Sequence, residues 1–149
     1  MISVPSVVNN PNALSPNETI IHMTPQATSD ALTGKIIGCA IEVHRALGPG
    51  LLESAYEQCL ARELSLNDLP FRLQVPVAIE YKEVQLDCGF RIDLLVDEQV
   101  IIELKSIEKT LPIHEAQLLT YMKLASIGKG LLINFNVKRL VDGIRRFRL

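Results

Sequence analysis

Several shortages narrow what this sequence can be. Long apolar runs are missing: none approaches the roughly 20 residues needed to cross a bilayer, so a membrane-spanning protein is not expected. Cysteine is scarce. Cys39, Cys59 and Cys88 are odd in number and far apart, which excludes CxxC zinc and redox motifs and fits reduced thiols in a cytoplasm. His22, His44 and His114 are scattered too and give no metal-ligand spacing. Excess charge of one sign is also lacking. The 15 Lys and Arg stand against 17 Asp and Glu, for a formal net charge of -2. That excludes a uniformly basic coat for nucleic acid, while a local basic patch stays compatible. No Lys or Arg leads an apolar stretch near the N-terminus, so a secretory signal is not expected. Core material is plentiful: 48% of the 149 residues are hydrophobic, enough for one globular domain with a buried interior.

Residues 1–29 differ from the rest. They hold four of the eight prolines (Pro5, Pro11, Pro16, Pro25) and one charged side chain, Glu18, with no helical or strand period. An irregular or mobile arm is expected there, followed by a single domain over residues 30–149. Ser29 or Asp30 can cap a first helix, along which Ile36, Ile37, Ala40, Ile41, His44 and Leu47 recur at helical spacing. Gly48-Pro49-Gly50 stops it, and a second helix runs from about Leu51 to Leu66. The period then becomes two. Strands are expected over Phe71–Tyr81, with an edge or bulge at Pro76, over Val84–Val96 and over Val100–Ser106. A third helix follows from Ile113 to about Ile127, then an apolar central strand over Leu131–Phe135 and a last strand over Ile144–Leu149. The order α-α-β-β-β-α-β-β indicates an α/β fold, a mixed sheet with helices on it.

The chemistry concentrates at Asp93 and Glu103-Leu104-Lys105. Glu103 and Lys105 are two apart in a strand and share a face. Pairing Ile92 with Leu104, Leu94 with Ile102 and Val96 with Val100 keeps the apolar faces together and sets Asp93 opposite Glu103. It also sets Arg91 opposite Lys105 and leaves a three-residue turn, Asp97-Glu98-Gln99. Facing carboxylates repel unless a cation lies between them. Mg²⁺ is the natural candidate, since it takes carboxylate oxygens and keeps waters for substrate phosphates. A neighbouring lysine can orient a water or stabilise phosphate charge, which is the equipment of metal-assisted phosphodiester hydrolysis. A solvated strand face with an ordinary Glu-Lys pair is the plainer explanation. Leu95 and Ile101 on the same face argue that it is covered.

Other candidates have two readings each. Gln117 and Tyr121, four apart on the third helix, can hold a nucleic-acid backbone or brace the site, or can simply be core. Glu53 can serve the metal, or can be the third residue of a helix capped at Gly50, favouring the helix dipole and reaching the cap backbone. His44 on an apolar helix face reads as a hydrogen-bonded core residue. Lys138, Arg139, Arg145, Arg146 and Arg148 form a basic segment that can meet phosphates or protect an edge strand.

Gly50-Leu51-Leu52-Glu53-Ser54-Ala55-Tyr56 resembles the signature of the GxxExxY protein family. Val43–Pro49 and Gly130–Phe135 are similar to that family as well, and the resemblance covers about Leu32 to Arg146. It implies the PD-(D/E)XK nuclease superfamily, with a restriction-endonuclease-like core. The superfamily's Asp and (Asp/Glu)-x-Lys correspond to Asp93 and Glu103-Leu104-Lys105, with Ile92 where the motif's proline would stand. Glu53 matches an additional helical Glu found in some branches, and Gln117 with Tyr121 matches a Gln-x-x-x-Tyr helix. The resemblance therefore implies a nuclease using Mg²⁺ or Mn²⁺. Asp93, Glu103, the Leu104 carbonyl and Glu53 would hold the metal, Lys105 would place the attacking water, and Gln117 and Tyr121 would bind substrate or brace the site. The expected partner is nucleic acid, DNA ahead of RNA, in the cytoplasm. A homo-oligomer or a protein partner would supply target choice to so small a chain. The competing expectation is a non-catalytic module that keeps the fold and binds nucleic acid or protein.

Overall fold

The computed structural model describes residues 25–149, with side chains from residue 31 onward, so residues 1–24 of the expected arm lie outside the described ones. Helix α1 (Pro25–Leu47) begins earlier than the cap expected at Ser29 or Asp30. Proline suits a helix start because its missing N–H would have no partner there and its φ is already helical. His44 and Arg45 sit in the last turn, where positive charge complements the helix dipole. The chain reverses through Gly48 (φ 67°) and Gly50 (φ 99°), left-handed conformations that glycine adopts without steric cost. Helix α2 (Glu53–Leu66) is capped by Leu52 rather than Gly50, so Glu53 is its first residue and not its third. The capping-box role for Glu53 is thereby corrected, while its favourable place at the positive end of the helix remains.

The two long strands expected over 71–81 and 84–96 are each divided. The first gives β1 (Phe71–Pro76) and β2 (Ile79–Tyr81), the second β3 (Val84–Leu86) and β4 (Arg91–Val96). β2 and β3 form a separate two-stranded ribbon. β5 (Val100–Lys105), α3 (Pro112–Ala125), β6 (Lys129–Asn134), a 3-10 turn (Leu140–Gly143) and β7 (Ile144–Arg148) complete the order. The main sheet runs β1-β4-β5-β6-β7. Only β5 and β6 pair in parallel there; the other pairs are antiparallel. A parallel pair needs a crossover, and α3 supplies it. β6 is interior as expected, with β5 rather than β6 at the middle. Pro76 falls on the β1 edge, and the Arg-rich β7 forms the other edge.

Both faces of the sheet are covered. On one side α1 and α2 bring Ile36, Ala40, Tyr56 and Leu60 against Leu94, Val96, Ile102, Leu104, Leu131 and Ile133. On the other, α3 brings Leu118, Tyr121 and Met122 against Leu95, Ile101 and Leu132. The result is a mixed α/β architecture of the restriction-endonuclease-like kind. Gly130 sets the approach of α3: a Cβ there would stand 2.6 Å from the Met122 sulfur and 3.1 Å from a Leu118 methyl.

Simple alternation fails at one place. Leu73 and Leu94 pack on the α1/α2 side, whereas Val75 and Ile92 pack on the α3 side. Ile92 was expected to share a face with Leu94 and Val96, and the structure corrects this. The switch falls between the paired positions Leu73↔Leu94 and Val75↔Ile92, at Gln74 and Asp93. Gln74 has φ 50°, so β1 rotates there and β4 follows it.

Candidate active site

The turn between β4 and β5 has the three residues expected, with Leu94↔Ile102, Leu95↔Ile101 and Val96↔Val100 in register. Asp97 (φ 51°) and Glu98 (φ 53°) take left-handed conformations, and the Gln99 N–H closes the turn on the Val96 carbonyl at 2.9 Å. Beyond Leu94 the regular pairing stops, so the expected Asp93–Glu103, Ile92–Leu104 and Arg91–Lys105 pairs do not form part of the ladder. Side chains take over. The Leu104 N–H donates to Asp93 Oδ2 at 2.8 Å, and the Asp93 N–H donates to Glu103 Oε1 at 3.3 Å. Each carboxylate thus accepts a main-chain donor from the opposing strand, and the two are locked together where β4 turns away from β5.

Glu103 is buried, at 5% exposure, and its carboxyl is pushed up to about 8. Burial is the main cause and the nearby Asp93 charge the second, while the Asp93 N–H and the Lys105 charge pull the other way. Lys105 is half-buried. An ordinary solvated Glu-Lys pair does not describe this arrangement.

Helix α3 closes the site from its side of the sheet. Gln117 Nε2 donates to the Tyr121 hydroxyl at 2.8 Å, which leaves the hydroxyl hydrogen of Tyr121 to donate elsewhere. Tyr121 is buried, and its pKa is raised by burial first and then by the charges of Glu103 and Asp93, which places it beside the carboxylate pair. The Phe90 ring lies 6.1 Å from the Tyr121 ring.

Helix α2 approaches from the other side through a residue that sequence reasoning passed over. Glu57 Oε2 accepts a hydrogen bond from Gln74 Nε2 at 2.9 Å, and the same nitrogen lies 3.5 Å from Asp93 Oδ1. The Glu57 carboxyl is raised by burial and by the charges of Asp93 and Glu53, against the lowering effect of Gln74. Glu53 lies one turn earlier, exposed at the start of α2. The signal for Glu57 was its spacing, four after Glu53 and so on the same helical face. Gln74 had no such signal, because a strand period carries no mark of a left-handed residue.

The remainder of the Gly50–Tyr56 segment has structural work. Tyr56 is fully buried, stacked on Phe135 with centroids 4.4 Å apart. Its hydroxyl donates to the Gly48 carbonyl and accepts from the Leu51 N–H at 3.2 Å, tying the turn before α2 to the core. The end of β5 is anchored nearby. Ser106 Oγ donates to the Leu51 carbonyl, and buried Asn134 accepts from the Ile107 N–H while donating to the Ile107 carbonyl.

The family model of the PD-(D/E)XK nuclease superfamily matches residues 30–147. The chain belongs to that superfamily. No curated protein matches the chain, and no solved structure does. Membership in a nuclease superfamily carries a nuclease-type function and a nucleic-acid substrate at the level of the superfamily. Its nucleases typically use divalent metals, and the donors present here suit one. Among the described residues no three His, Cys, Asp or Glu side chains are gathered as a ready metal cage. Mg²⁺, however, is commonly held by one or two carboxylates with waters and substrate phosphates completing the shell. Asp93 and buried Glu103 are hard oxygen donors whose mutual repulsion a cation would relieve.

Two further expectations meet the nuclease fold. His44 is a core residue: its Nε2 donates to the Val137 carbonyl at 2.8 Å. In the basic C-terminal segment, Arg145 is paired with Glu115 at 2.6 Å and Arg139 lies 3.9 Å from Asp142. Among the described residues no helix is long and apolar enough to cross a membrane.

Proposed function

We propose that this PD-(D/E)XK protein is a divalent-metal-dependent nuclease of the GxxExxY branch, acting in the cytoplasm on DNA ahead of RNA. The observation that carries the reading is the interlocked pair of Asp93 and Glu103, one of them buried, beside Lys105 and under the Gln117–Tyr121 face of α3. A carboxylate as enclosed as Glu103 needs a counter-charge to ionise at neutral pH. Asp93, Glu103 and the Leu104 carbonyl would hold Mg²⁺ or Mn²⁺, with Glu53 joining directly or through water. The bound ion supplies Lewis-acid polarisation of the scissile phosphate and a lowered pKa for water. Lys105 orients the attacking water and offsets charge building on the phosphate. Gln117 and Tyr121 hold the phosphodiester backbone against the site. A second copy or a protein partner supplies target choice.

Cleavage of plasmid, single-stranded DNA and RNA in millimolar Mg²⁺ or Mn²⁺ tests this. Lys105→Ala should lower the rate by about 10²- to 10³-fold, with the fold intact. In thermal unfolding, Mg²⁺ should raise the midpoint of the wild type by mass action. Asp93→Asn should weaken that rise while leaving the metal-free protein as stable or more so, because one repelling charge is gone. A wild type that neither cleaves nor responds to metal, together with a destabilised Asp93→Asn, would sink the nuclease reading. A non-catalytic binding module would then be the better description.

A further inference from the structure

Gln74 stands in the middle of an edge strand, in a left-handed conformation that a non-glycine residue adopts only at some cost. Strain of this kind persists where the surroundings fix it, and it gathers at functional sites. Here the strain has a visible result. Phe71↔Val96, Arg72↔Leu95 and Leu73↔Leu94 pair on one side of it, Val75↔Ile92 and Pro76↔Arg91 on the other, and the Gln74–Asp93 pair is missing from the ladder. The side chains of both strands change faces at that point. A simple extended residue at 74 would continue the alternation and keep Val75 with Leu73.

The amide of Gln74 is used as well as its backbone. One nitrogen faces two carboxylates, Glu57 Oε2 at 2.9 Å and Asp93 Oδ1 at 3.5 Å. An amide nitrogen carries two hydrogens and can donate to both, without adding charge. Asp93 is held from the other side by the Leu104 N–H on Oδ2 at 2.8 Å. The carboxylate therefore lies between a donor from β1 and a donor from β5, while α2 fixes the β1 donor through Glu57.

We propose that Gln74 is a positioning residue. Its left-handed backbone turns β4 away from β5, and its amide, braced by Glu57, holds the Asp93 carboxylate against the Leu104 N–H. The consequence for metal rests on the nuclease reading above; the consequence for Asp93 does not.

Two measurements separate these. The first uses the metal-free protein, in EDTA, and reads amide hydrogen exchange residue by residue. In Gln74→Gly the strained φ is tolerated and the amide is lost, so the protein should fold. Exchange at the Leu104 N–H should then quicken by about tenfold, while Ile101 and Ile102 keep their protection. Gln74→Asn tolerates the same backbone and keeps an amide, and should recover part of the protection. Unchanged Leu104 exchange in Gln74→Gly, or a loss spread evenly over the sheet, overturns the positioning role. The second measurement titrates Mg²⁺ against the thermal midpoint. The concentration for half the response should rise about tenfold in Gln74→Gly, as for other groups that orient a metal ligand. A wild type without any response, alongside selective Leu104 exchange, overturns the nuclease reading and leaves Gln74 as the residue that orients Asp93. A wild-type response that Gln74→Gly leaves unaltered overturns the metal part of the proposal.

Discussion

Glu103 couples folding to pH. Its carboxyl is held up to about 8 in the folded protein, against 4.5 for an ordinary glutamate. Between those values the folded state keeps a proton that the unfolded chain releases. The contribution of Glu103 to metal-free stability is therefore fully present below about 4.5 and is lost as pH rises through about 8. Denaturant midpoints measured in EDTA from about pH 5 to about 8.5 should fall steadily, and Glu103→Gln should flatten the decline. A pH dependence that Glu103→Gln leaves unaltered would show that Glu103 is not its source. Glu103 and Asp93 were legible as neighbours because the pairs next to the turn, Val96↔Val100 to Leu94↔Ile102, have the register that apolar pairing gives, although the ladder ends before it reaches them and main-chain to carboxylate bonds complete the contact. Glu57 was one helical turn from a residue already singled out, yet nothing in α2 alone distinguishes a solvent-facing glutamate from one that meets a neighbouring strand. Gln74 was illegible because its role depends on a backbone angle.

At the scale of elements, the stop-and-restart at Gly48-Pro49-Gly50 was readable from composition, and the exact start of α2 was not. The first turn is set by Tyr56, whose hydroxyl reaches back to Gly48 and Leu51 from within the helix it helps to place. Tyr56→Phe keeps the stack on Phe135 and removes both hydrogen bonds. It should cost about 1–3 kcal/mol in chemical denaturation, because two part-buried hydrogen bonds to the main chain are lost together. The midpoint shift with Mg²⁺ should be unaltered, since the hydroxyl serves the turn. An equally stable variant would show that the turn holds without it. The strands show the opposite balance. Their apolar residues were assigned to strands, but Pro76 and the irregular stretch around Gly89 divide them, and a period of two cannot register a change of face.

The molecule as a whole follows from a few long-range decisions. The change from helical period to strand period and back foretold helices packed on a mixed sheet. The parallel pairing of β5 with β6 could only be inferred through the intervening helix, and the position of β1 beside β4 required the ribbon between them to fold back on itself. That ribbon has a consequence for how the chain tolerates change in length. The Val77 N–H donates to the Phe90 carbonyl at 2.9 Å, so the stem is closed by its own main chain before the ribbon begins. Residues 78–89 depart from and return to neighbouring points, and their side chains contribute nothing to either buried cluster. The segment is in effect an interchangeable attachment, a port where natural variation or an engineer can lengthen, shorten or graft chain. Replacing it by a tight turn should leave the melting temperature within about 5 °C and keep the metal response. A collapse of the fold on trimming would instead mean that the port carries weight for the sheet beneath it.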